Sequence, residues 1–170
     1  MLLMKRVFVS LGGNIGDVKH TLSKALREIA KLPWVHNLQV SRLYYTSPVG
    51  VQNQPHYHNC VASFDYEEAA SKLLFDLHQI EKHLGRVRPV PLGPRTCDID
   101  ILLFGGDQID EKDLQIPHPR MYDRLFVLIP LLELLPQDAR VRLAITNLQK
   151  KDVDTVVPVS DSTWSSLCEM

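Results

Sequence analysis

Two aspartates, Asp98 and Asp100, stand one residue apart in a run that otherwise resembles a buried strand, GPRTCDIDILLF at 93–104. Alternate residues of a strand point to the same side of a sheet, so the two Cα atoms should lie roughly 6.5 Å apart with both carboxylates on one side. Such carboxylates can converge on two Mg²⁺ ions, which typically lie ~3.5–4 Å from each other. Mg²⁺ usually takes one or two carboxylates together with substrate phosphates. The alternative is a solvent-facing pair that forms salt bridges with Arg95.

Cationic side chains flank this acidic pair. Arg86, Arg88 and Arg95 bracket the preceding loop, and His118 and Arg124 follow the strand. Guanidinium groups fork onto phosphate oxygens and stay charged at any relevant pH. Cations beside metal-binding carboxylates are typical of phosphoryl-transfer sites, where positioning and charge neutralisation supply most of the rate. The same arginines could instead be ordinary surface charges, because the chain contains 19 Lys and Arg in all.

Composition excludes several classes of protein. The 170 residues have a net charge of −1, which argues against a general nucleic-acid binder, and their number predicts a single domain over 1–170. The apolar stretch 125–135 is too short to cross a membrane. The chain has three cysteines without a CxxC pair: Cys60, Cys97 and Cys168. This pattern favours reduced thiols and a cytoplasmic location.

Common nucleotide and metal motifs are absent from the sequence. No GxxxxGK[ST] loop occurs, and GGNIG at 12–16 lacks the spacing of a dinucleotide fingerprint, so we interpret it as a strand-to-helix turn. His56, His58 and Cys60 could suggest zinc. That interpretation is disfavoured, because Cys60 would have to turn out of the core to join the two histidines.

The elements that must position these residues follow a β-α-β-β-α-β order. Strands are predicted at 7–11, 38–45 and 57–66 and at the acidic run. One helix is predicted from Asp17, as its N-cap, to about 32, with an apolar stripe at Val18, Leu22, Ala25, Leu26, Ile29 and Leu32. A second is predicted over 67–84, where two glutamates open it. Loops rich in proline or glycine are predicted at 46–55 and 86–95. This order predicts an α+β, ferredoxin-like fold with both helices on one face of an antiparallel sheet and a ligand site on the open face. C-terminal additions follow, with weak patterning beyond about 144.

Strand alternation assigns side chains to the two faces of the sheet. The predicted helix-covered face receives Cys60, Ala62, Phe64, Cys97, Ile99, Ile101 and Leu103. The predicted open face receives Tyr57, Asn59, Asp98, Asp100, Leu102 and Phe104. The polar members of the open face stand at the starts of their strands, next to the two loops, and this is where we expect the ligand.

Together with QPHYHNC at 54–60 and GRVR at 85–88, the acidic run resembles the 6-hydroxymethyl-7,8-dihydropterin pyrophosphokinase family of folate biosynthesis. The resemblance spans about 7–135 and includes YYTSPVG at 44–50 and IPHPRMYDRLFVLIPL at 116–131. The GPRT-x-D-x-D-I element is specific to this family, whereas a lone DxD is not. The resemblance implies transfer of diphosphate from ATP, as co-substrate, to the hydroxymethyl oxygen of the reduced pterin, with release of AMP and with two Mg²⁺ ions as cofactors.

The resemblance also implies a role for individual residues. The catalytic group comprises Arg86, Arg95, Asp98 and Asp100, of which the two aspartates bind the metal ions. The nucleotide site comprises His78, Glu81, Arg86, Arg88, Arg95, Ile101, His118 and Arg124. The pterin site comprises Thr46, Pro48, Val49, Tyr57, Asn59 and Phe126, with the ring stacked between Tyr57 and Phe126. No side chain stands out as a general base.

The chain departs from the family pattern at four positions. His78 replaces a common glutamine, Pro89 a frequent basic residue, Leu92 an aromatic residue and Asp113 an occasional basic residue. Two other functions stay open at this point: a metal-dependent phosphohydrolase and a non-catalytic module that binds a small molecule or RNA. The expected partners are small-molecule substrates and, where present, a neighbouring folate-pathway enzyme, with no nucleic acid and no membrane.

Overall fold

The structure is a computed structural model that describes residues 2–46, 55–85, 96–151 and 155–167. Its strands are β1 (Lys5–Gly13), β2 (Val35–Val40), β3 (Tyr44–Thr46), β4 (Tyr57–Tyr66), β5 (Asp98–Phe104), β6 (Ile109–Asp110), β7 (Gln115–Ile116) and β8 (Val156–Pro158). Its helices are α1 (Val18–Ala30), α2 (Ala70–His83), α3 (Leu125–Leu134), α4 (Ala139–Gln149) and α5 (Ser162–Leu167).

The main sheet has the order β5-β1-β4-β3-β8, and β2 also pairs with β4. Each of these pairings is antiparallel, so the prediction of a mixed fold with an antiparallel sheet and packed helices is confirmed. The strand predicted at 38–45 is divided into β2 and β3, because Ser41 interrupts the ladder. Val61 N donates to Ser41 Oγ at 2.9 Å, and Ser41 N donates to Val61 O at 2.8 Å.

The two long helices form where the apolar spacing predicts them. Asp17 caps α1 by accepting a hydrogen bond from His20 N at 3.1 Å. The predicted stripe of α1 is buried at Val18, Leu22, Ala25, Leu26 and Ile29. The second helix begins at Ala70 rather than at residue 67, and the two glutamates that were expected to open it precede its first turn.

The second face of the sheet is only partly open, which corrects the prediction. Helices α3 and α4 cover its apolar part with a separate hydrophobic cluster. The core of this cluster comprises Phe8, Val61, Leu102, Met121, Leu125, Val127, Leu128, Leu131, Val141 and Ile145. The physical reason is that strands β1, β4 and β5 each present an apolar residue on this face, and the strongly apolar α3 buries them. What stays uncovered by this cluster is the polar part of the face, at the start of β5.

A β-bulge corrects the predicted orientation of Phe104. Val9 pairs with Ile101 and Phe8 with Leu103, so Leu102 is an extra residue on β5. One inserted residue reverses the alternation beyond it. Phe104 consequently joins the core beneath α1 and α2, and Leu103 packs against the α3 cluster instead.

Beyond residue 144, two of the described elements, β8 and α5, pack against the rest of the chain. Strand β8 pairs with β3, and Trp164 and Leu167 of α5 are buried in the core beneath α1 and α2. Among the described residues, the structure contains no helix with the length and apolar character that a membrane crossing requires.

Glu133 ties α3 to the sheet. Its carboxylate accepts hydrogen bonds from the Tyr44 hydroxyl, from Arg42 N at 3.0 Å and from Arg42 Nε at 3.1 Å. Burial, together with the bond to Glu133, raises the pKa of Tyr44 to about 12. Tyr44 therefore stays neutral at physiological pH and donates to a carboxylate from within the core.

We predict that Tyr44→Phe lowers the free energy of unfolding by about 1–3 kcal/mol, because it removes a buried hydrogen bond to a charged group. Tyr45→Phe is the matched control at an exposed neighbouring position, and its effect should stay within ~0.5 kcal/mol. Urea unfolding measures both. The difference in free energy of unfolding between the wild type and Tyr44→Phe should shrink as the pH rises from 10 towards 12. The reason is that the folded chain holds the hydroxyl proton of Tyr44 more tightly than the unfolded chain does. Equal effects of the two variants would contradict the assignment.

Candidate functional site

The two aspartates lie on the same face of β5, each partly exposed, next to strand β1. Asp98 pairs with Gly12 and Asp100 with Ser10. Leu102, the next residue on that face, is buried against α3. The carboxylates therefore stand at the border between the apolar cover and the polar part of the face. Within the described ranges, no group of three or more His, Cys, Asp or Glu side chains is placed to hold a metal ion.

Gly12 leaves room for a polar side chain from the opposite neighbour. Across β1, Gly12 pairs with Asp98 on one side and with Asn59 on the other. A Cβ atom at Gly12 would lie 2.3 Å from Asn59 Oδ1, so the asparagine amide occupies the space above the glycine. At a strand spacing of ~4.8 Å, the Cα atoms of Asn59 and Asp98 are about 10 Å apart. Gly12 and Gly13 belong to the strand, so the predicted glycine turn begins later than expected.

Thr46 fixes the orientation of this asparagine. Asn59 Nδ2 donates to Thr46 Oγ1 at 2.6 Å, and the two residues are 7% and 2% exposed. Thr46 pairs with Tyr57 in the β3–β4 ladder, and Tyr57 is partly buried. The ladder thus brings together three of the residues that were predicted to bind the pterin. The bond between Thr46 and Asn59 was not anticipated from the sequence.

Phe126 lies in the first turn of α3, on the helix that covers the same face. It is partly buried, and the Arg124 guanidinium lies 5.7 Å from its ring centroid. This contact keeps an aromatic ring and a permanent cation together. The predicted pterin residues Pro48 and Val49 lie outside the described residues.

A cavity of about 280 Å³ opens between α2, β5 and the β6–β7 hairpin. The lining includes five residues that the sequence assigned to the nucleotide or metal: His78, Glu81, Asp100, Ile101 and His118. It also includes Lys112, Asp113 and Leu114, which connect β6 to β7, and Gln115 of β7. Of this connection, only Asp113 was singled out from the sequence. The hairpin residues were missed because two very short strands leave no periodic signal.

His118 is anchored to β5 by its backbone. Its N–H donates to Leu102 O at 2.9 Å, and its ring Nδ1 accepts a hydrogen bond from Arg120 N at 3.2 Å. Burial lowers the pKa of His118; the nearby Asp100 opposes this shift and the Arg124 cation adds to it. With Nδ1 occupied as an acceptor, the neutral imidazole carries its proton on Nε2 and can donate it to a phosphate oxygen.

Glu81 is 2% exposed, and its Oε1 accepts a hydrogen bond from Ile99 N at 2.7 Å. Ile99 lies between the two aspartates, so this bond holds the start of β5 against α2. Glu81 was predicted to lie in the site, but its bond to Ile99 was not predicted from the sequence. Next to it, Thr96 Oγ1 donates to Gly85 O at 3.1 Å and joins the two ends of the stretch 86–95.

The remaining predictions in that stretch fall outside the described residues. They are the catalytic and nucleotide residues Arg86, Arg88 and Arg95 and the departures Pro89 and Leu92. Cys60, which a zinc site would require, is buried in the core beneath α1 and α2.

Comparison with known proteins gives a consistent set of relatives. The sequence model of a family described as 7,8-dihydro-6-hydroxymethylpterin-pyrophosphokinase (HPPK) matches residues 8–136. The 2-amino-4-hydroxy-6-hydroxymethyldihydropteridine pyrophosphokinase of Pseudomonas aeruginosa is 42% identical over 134 residues, which cover 79% of this chain and 83% of the relative. The protein of the same name from Bacillus subtilis is 42% identical over 130 residues, or 76% of this chain and 78% of the relative.

Longer proteins match as well. The bifunctional protein FolKE of Lactococcus lactis subsp. cremoris is 37% identical over 153 residues, which cover 88% of this chain and 44% of the relative. A solved structure of Plasmodium falciparum HPPK-DHPS has a TM-score of 0.71 and 14% identity, covering 89% of this chain. This chain spans 44% of that solved chain, and at such an identity the match concerns the fold.

We predict that Gly12→Ala lowers the free energy of unfolding by about 1–3 kcal/mol, because the new Cβ collides with the Asn59 amide and forces it to move. Gly106→Ala is the matched control, since a Cβ there meets nothing within 4 Å, and its effect should stay within ~0.5 kcal/mol. Chemical denaturation measures both values. A neutral Gly12→Ala variant would show that Asn59 does not depend on this space.

Proposed function

The chain belongs to the 7,8-dihydro-6-hydroxymethylpterin-pyrophosphokinase family, and we propose that the row Asn59–Gly12–Asp98 across three strands is the centre of its active site. The activity of the chain is transfer of diphosphate from ATP to the hydroxymethyl group of 6-hydroxymethyl-7,8-dihydropterin in folate biosynthesis, giving AMP and the pterin diphosphate. The observation that carries the site assignment is the register of β1, which sets a buried amide and a carboxylate on either side of a glycine.

We propose that Asp98 and Asp100 hold two Mg²⁺ ions. The donor chemistry fits, because two carboxylates on one face supply hard oxygen ligands and leave further positions for phosphate oxygens. Bound Mg²⁺ would neutralise the phosphate charge and make the pterin hydroxyl more acidic. Both aspartates are partly exposed, as a site that a metal ion and a phosphate must reach requires.

For the nucleotide, we propose the cavity between α2, β5 and the β6–β7 hairpin. A polyphosphate bound there would lie next to Asp100 and His118, and Nε2 of the neutral histidine could donate to a phosphate oxygen. Arg124 adds a cation near His118. Arg86, Arg88 and Arg95 stay predicted phosphate ligands, and His78, Glu81 and Ile101 stay predicted contacts of the nucleotide.

For the pterin, we propose the surface formed by the β3–β4 ladder and the first turn of α3. The Asn59 amide would bind the polar edge of the ring, because its bond to Thr46 orders it before the ligand arrives. Tyr57 and Phe126 would supply aromatic faces for stacking. The hydroxymethyl group would then point across Gly12 towards Asp98. Pro48 and Val49 stay predicted contacts.

In the transfer step, the hydroxymethyl oxygen forms a bond to the β-phosphorus while the bond from that phosphorus to the α,β-bridging oxygen breaks, and AMP leaves. The hydroxyl loses its proton in this step, and we propose that a carboxylate oxygen of Asp98 or Asp100 accepts it at most transiently. His118 and Arg124 stabilise the negative charge that develops on the phosphate oxygens.

The broader assignments follow from the same contacts. We propose a ferredoxin-like topology. When the four predicted strands are numbered along the chain, they lie side by side in the sheet in the order 4-1-3-2, with β2 and β3 together forming strand 2. We propose that 1–170 is one pyrophosphokinase domain, since β8 and Trp164 pack onto the sheet and core. A cytoplasmic location stays a proposal, supported by the three widely spaced cysteines of the sequence, which include no CxxC pair.

A neighbouring folate-pathway enzyme stays a proposed partner of this chain. The relatives named as bifunctional FolKE and HPPK-DHPS support this idea, because their single chains link two named functions.

The direct test of the proposed function is to incubate the protein with ATP, Mg²⁺ and the reduced pterin alcohol and to measure AMP. We expect AMP to appear only when the pterin is present. AMP or ADP formation without the pterin would favour a phosphohydrolase instead. Omission of Mg²⁺ and addition of a chelator should abolish the transfer.

We predict that Asp98→Ala and Asp100→Ala each reduce diphosphate transfer by at least about 10³-fold, because each removes a metal ligand and a charge from the reacting centre. Thermal melting should show an intact fold. Asp107→Ala is the control aspartate, which lies beyond the far end of β5 and pairs with Lys5. Near-wild-type turnover in either active-site variant would exclude the two-metal site.

We also predict that Asn59→Ala weakens pterin binding by about 10–100-fold, because the lost side chain leaves the polar edge of the ring without its partner. ATP binding should change less than about threefold. His78→Ala is the reciprocal variant and should weaken ATP binding more than pterin binding. Calorimetric titration of each ligand measures both effects. Equal losses for both ligands in Asn59→Ala would contradict the assignment.

A further inference from the structure

Residues 155–167, which we name the C-terminal strap, lie outside the 8–136 range that the family model matches. They form β8 and α5 and are joined to the rest of the fold at three places. The strap therefore needs an explanation of its own. Two of these attachments are to the short segment from Ser41 to Thr46, which leads into the proposed pterin site.

The first attachment is the strand pairing. Strand β8 pairs with β3 in the register Tyr44–Pro158, Tyr45–Val157 and Thr46–Val156, and Val159 N donates to Leu43 O at 2.8 Å. Strand β3 has three residues, and without β8 it would be the edge of the sheet. So short an edge strand is weakly held by its ladder with β4 alone.

The second attachment is a buried tryptophan. Trp164 is 3% exposed, and its indole Nε1 donates to Ser41 O at 3.0 Å. Ser41 is also the residue whose hydroxyl accepts the hydrogen bond from Val61 N at the break between β2 and β3. The tryptophan thereby fixes the point at which the chain leaves β2 and enters β3.

The third attachment holds the strap to α1. Asp161 accepts hydrogen bonds from Thr163 N at 2.9 Å and Trp164 N at 3.0 Å and also pairs with the Lys19 ammonium. One carboxylate therefore caps α5 and binds it to another element. This contact sets the position of Trp164 without touching β3 or β4.

We propose that the C-terminal strap positions β3 so that Thr46 can orient Asn59, and that Trp164 is accordingly a positioning residue for pterin recognition. Thr46 is the last residue of β3, pairs with Val156 of the strap and accepts the hydrogen bond of Asn59 Nδ2. The strap does not line the cavity assigned to the nucleotide. Its effect should therefore fall on the pterin alone. This inference rests on the proposed pterin site.

The test compares Trp164→Phe with Trp34→Phe in the full chain, by steady-state kinetics with each substrate varied in turn. Trp34 is exposed and is the other tryptophan of the chain, which makes it the matched control. We expect Trp164→Phe to raise the KM for the pterin about fivefold, with kcat and the KM for ATP within about twofold of the wild type. Trp34→Phe should leave all three constants within about twofold. Unchanged pterin KM in Trp164→Phe, or equal rises in both KM values, would overturn the proposal.

A second variant, Asp161→Asn, decides the question if Trp164→Phe does not fold, since it weakens the attachment to Lys19 and leaves the core packing in place. It should also raise the pterin KM selectively, and an unchanged value would overturn the proposal. In the Asn59→Ala background, the Trp164→Phe effect should disappear, because the strap acts through Asn59. If the two changes raised the pterin KM additively in the double variant, the strap would not act through Asn59.

The same experiment separates this inference from the proposed function. If Asn59→Ala itself leaves the pterin KM unchanged, the proposed pterin site is wrong. If Asn59→Ala raises the pterin KM strongly while both strap variants do not, only the role of the strap is refuted.

Discussion

The register of β1 between β4 and β5 is the constraint on which the proposed site depends. It aligns Asn59, Gly12 and Asp98 in one row, and the next polar pair, Ser10 and Asp100, lies two residues further along. Because side chains alternate between the faces of a sheet, a slip of one residue would carry the carboxylates into the core beneath α1 and α2. The apolar residues that interleave with them hold the register, so the hydrophobic core and the polar site are specified by the same alternation.

Sequence patterns predicted the elements that are long enough to show the hydrophobic periodicity of a strand or a helix. The strand predicted at 57–66 is observed at Tyr57–Tyr66, and Asp17 caps α1 as expected. Alternation also placed Asp98 and Asp100 together with Asn59 on the face opposite the long helices. These predictions succeeded because burial of one face imposes a period that the residue types directly reflect.

What the patterns could not reveal are features that depend on contacts between distant segments. The cover of the second face by α3, the bulge that turns Phe104 inward and the bond from Ile99 N to Glu81 each join residues far apart in the chain. A glutamate in an apolar helical stripe was the available signal for the last of these. The predicted strand is divided at Ser41 because the Ser41 hydroxyl, and not a backbone carbonyl, accepts the hydrogen bond of Val61 N. Hydrophobic periodicity contains no signal for such a bond.

The bond between Thr96 Oγ1 and Gly85 O has a consequence for the arginines between them. Gly85 and Thr96, which flank the segment that contains Arg86, Arg88 and Arg95, are thereby held together, and Asp98 follows two residues after Thr96. Each guanidinium is thus tethered by a chain of at most ten residues, ~3.5 Å each, to the entrance of the acidic strand. Chain connectivity therefore limits how far these cations can lie from the carboxylates.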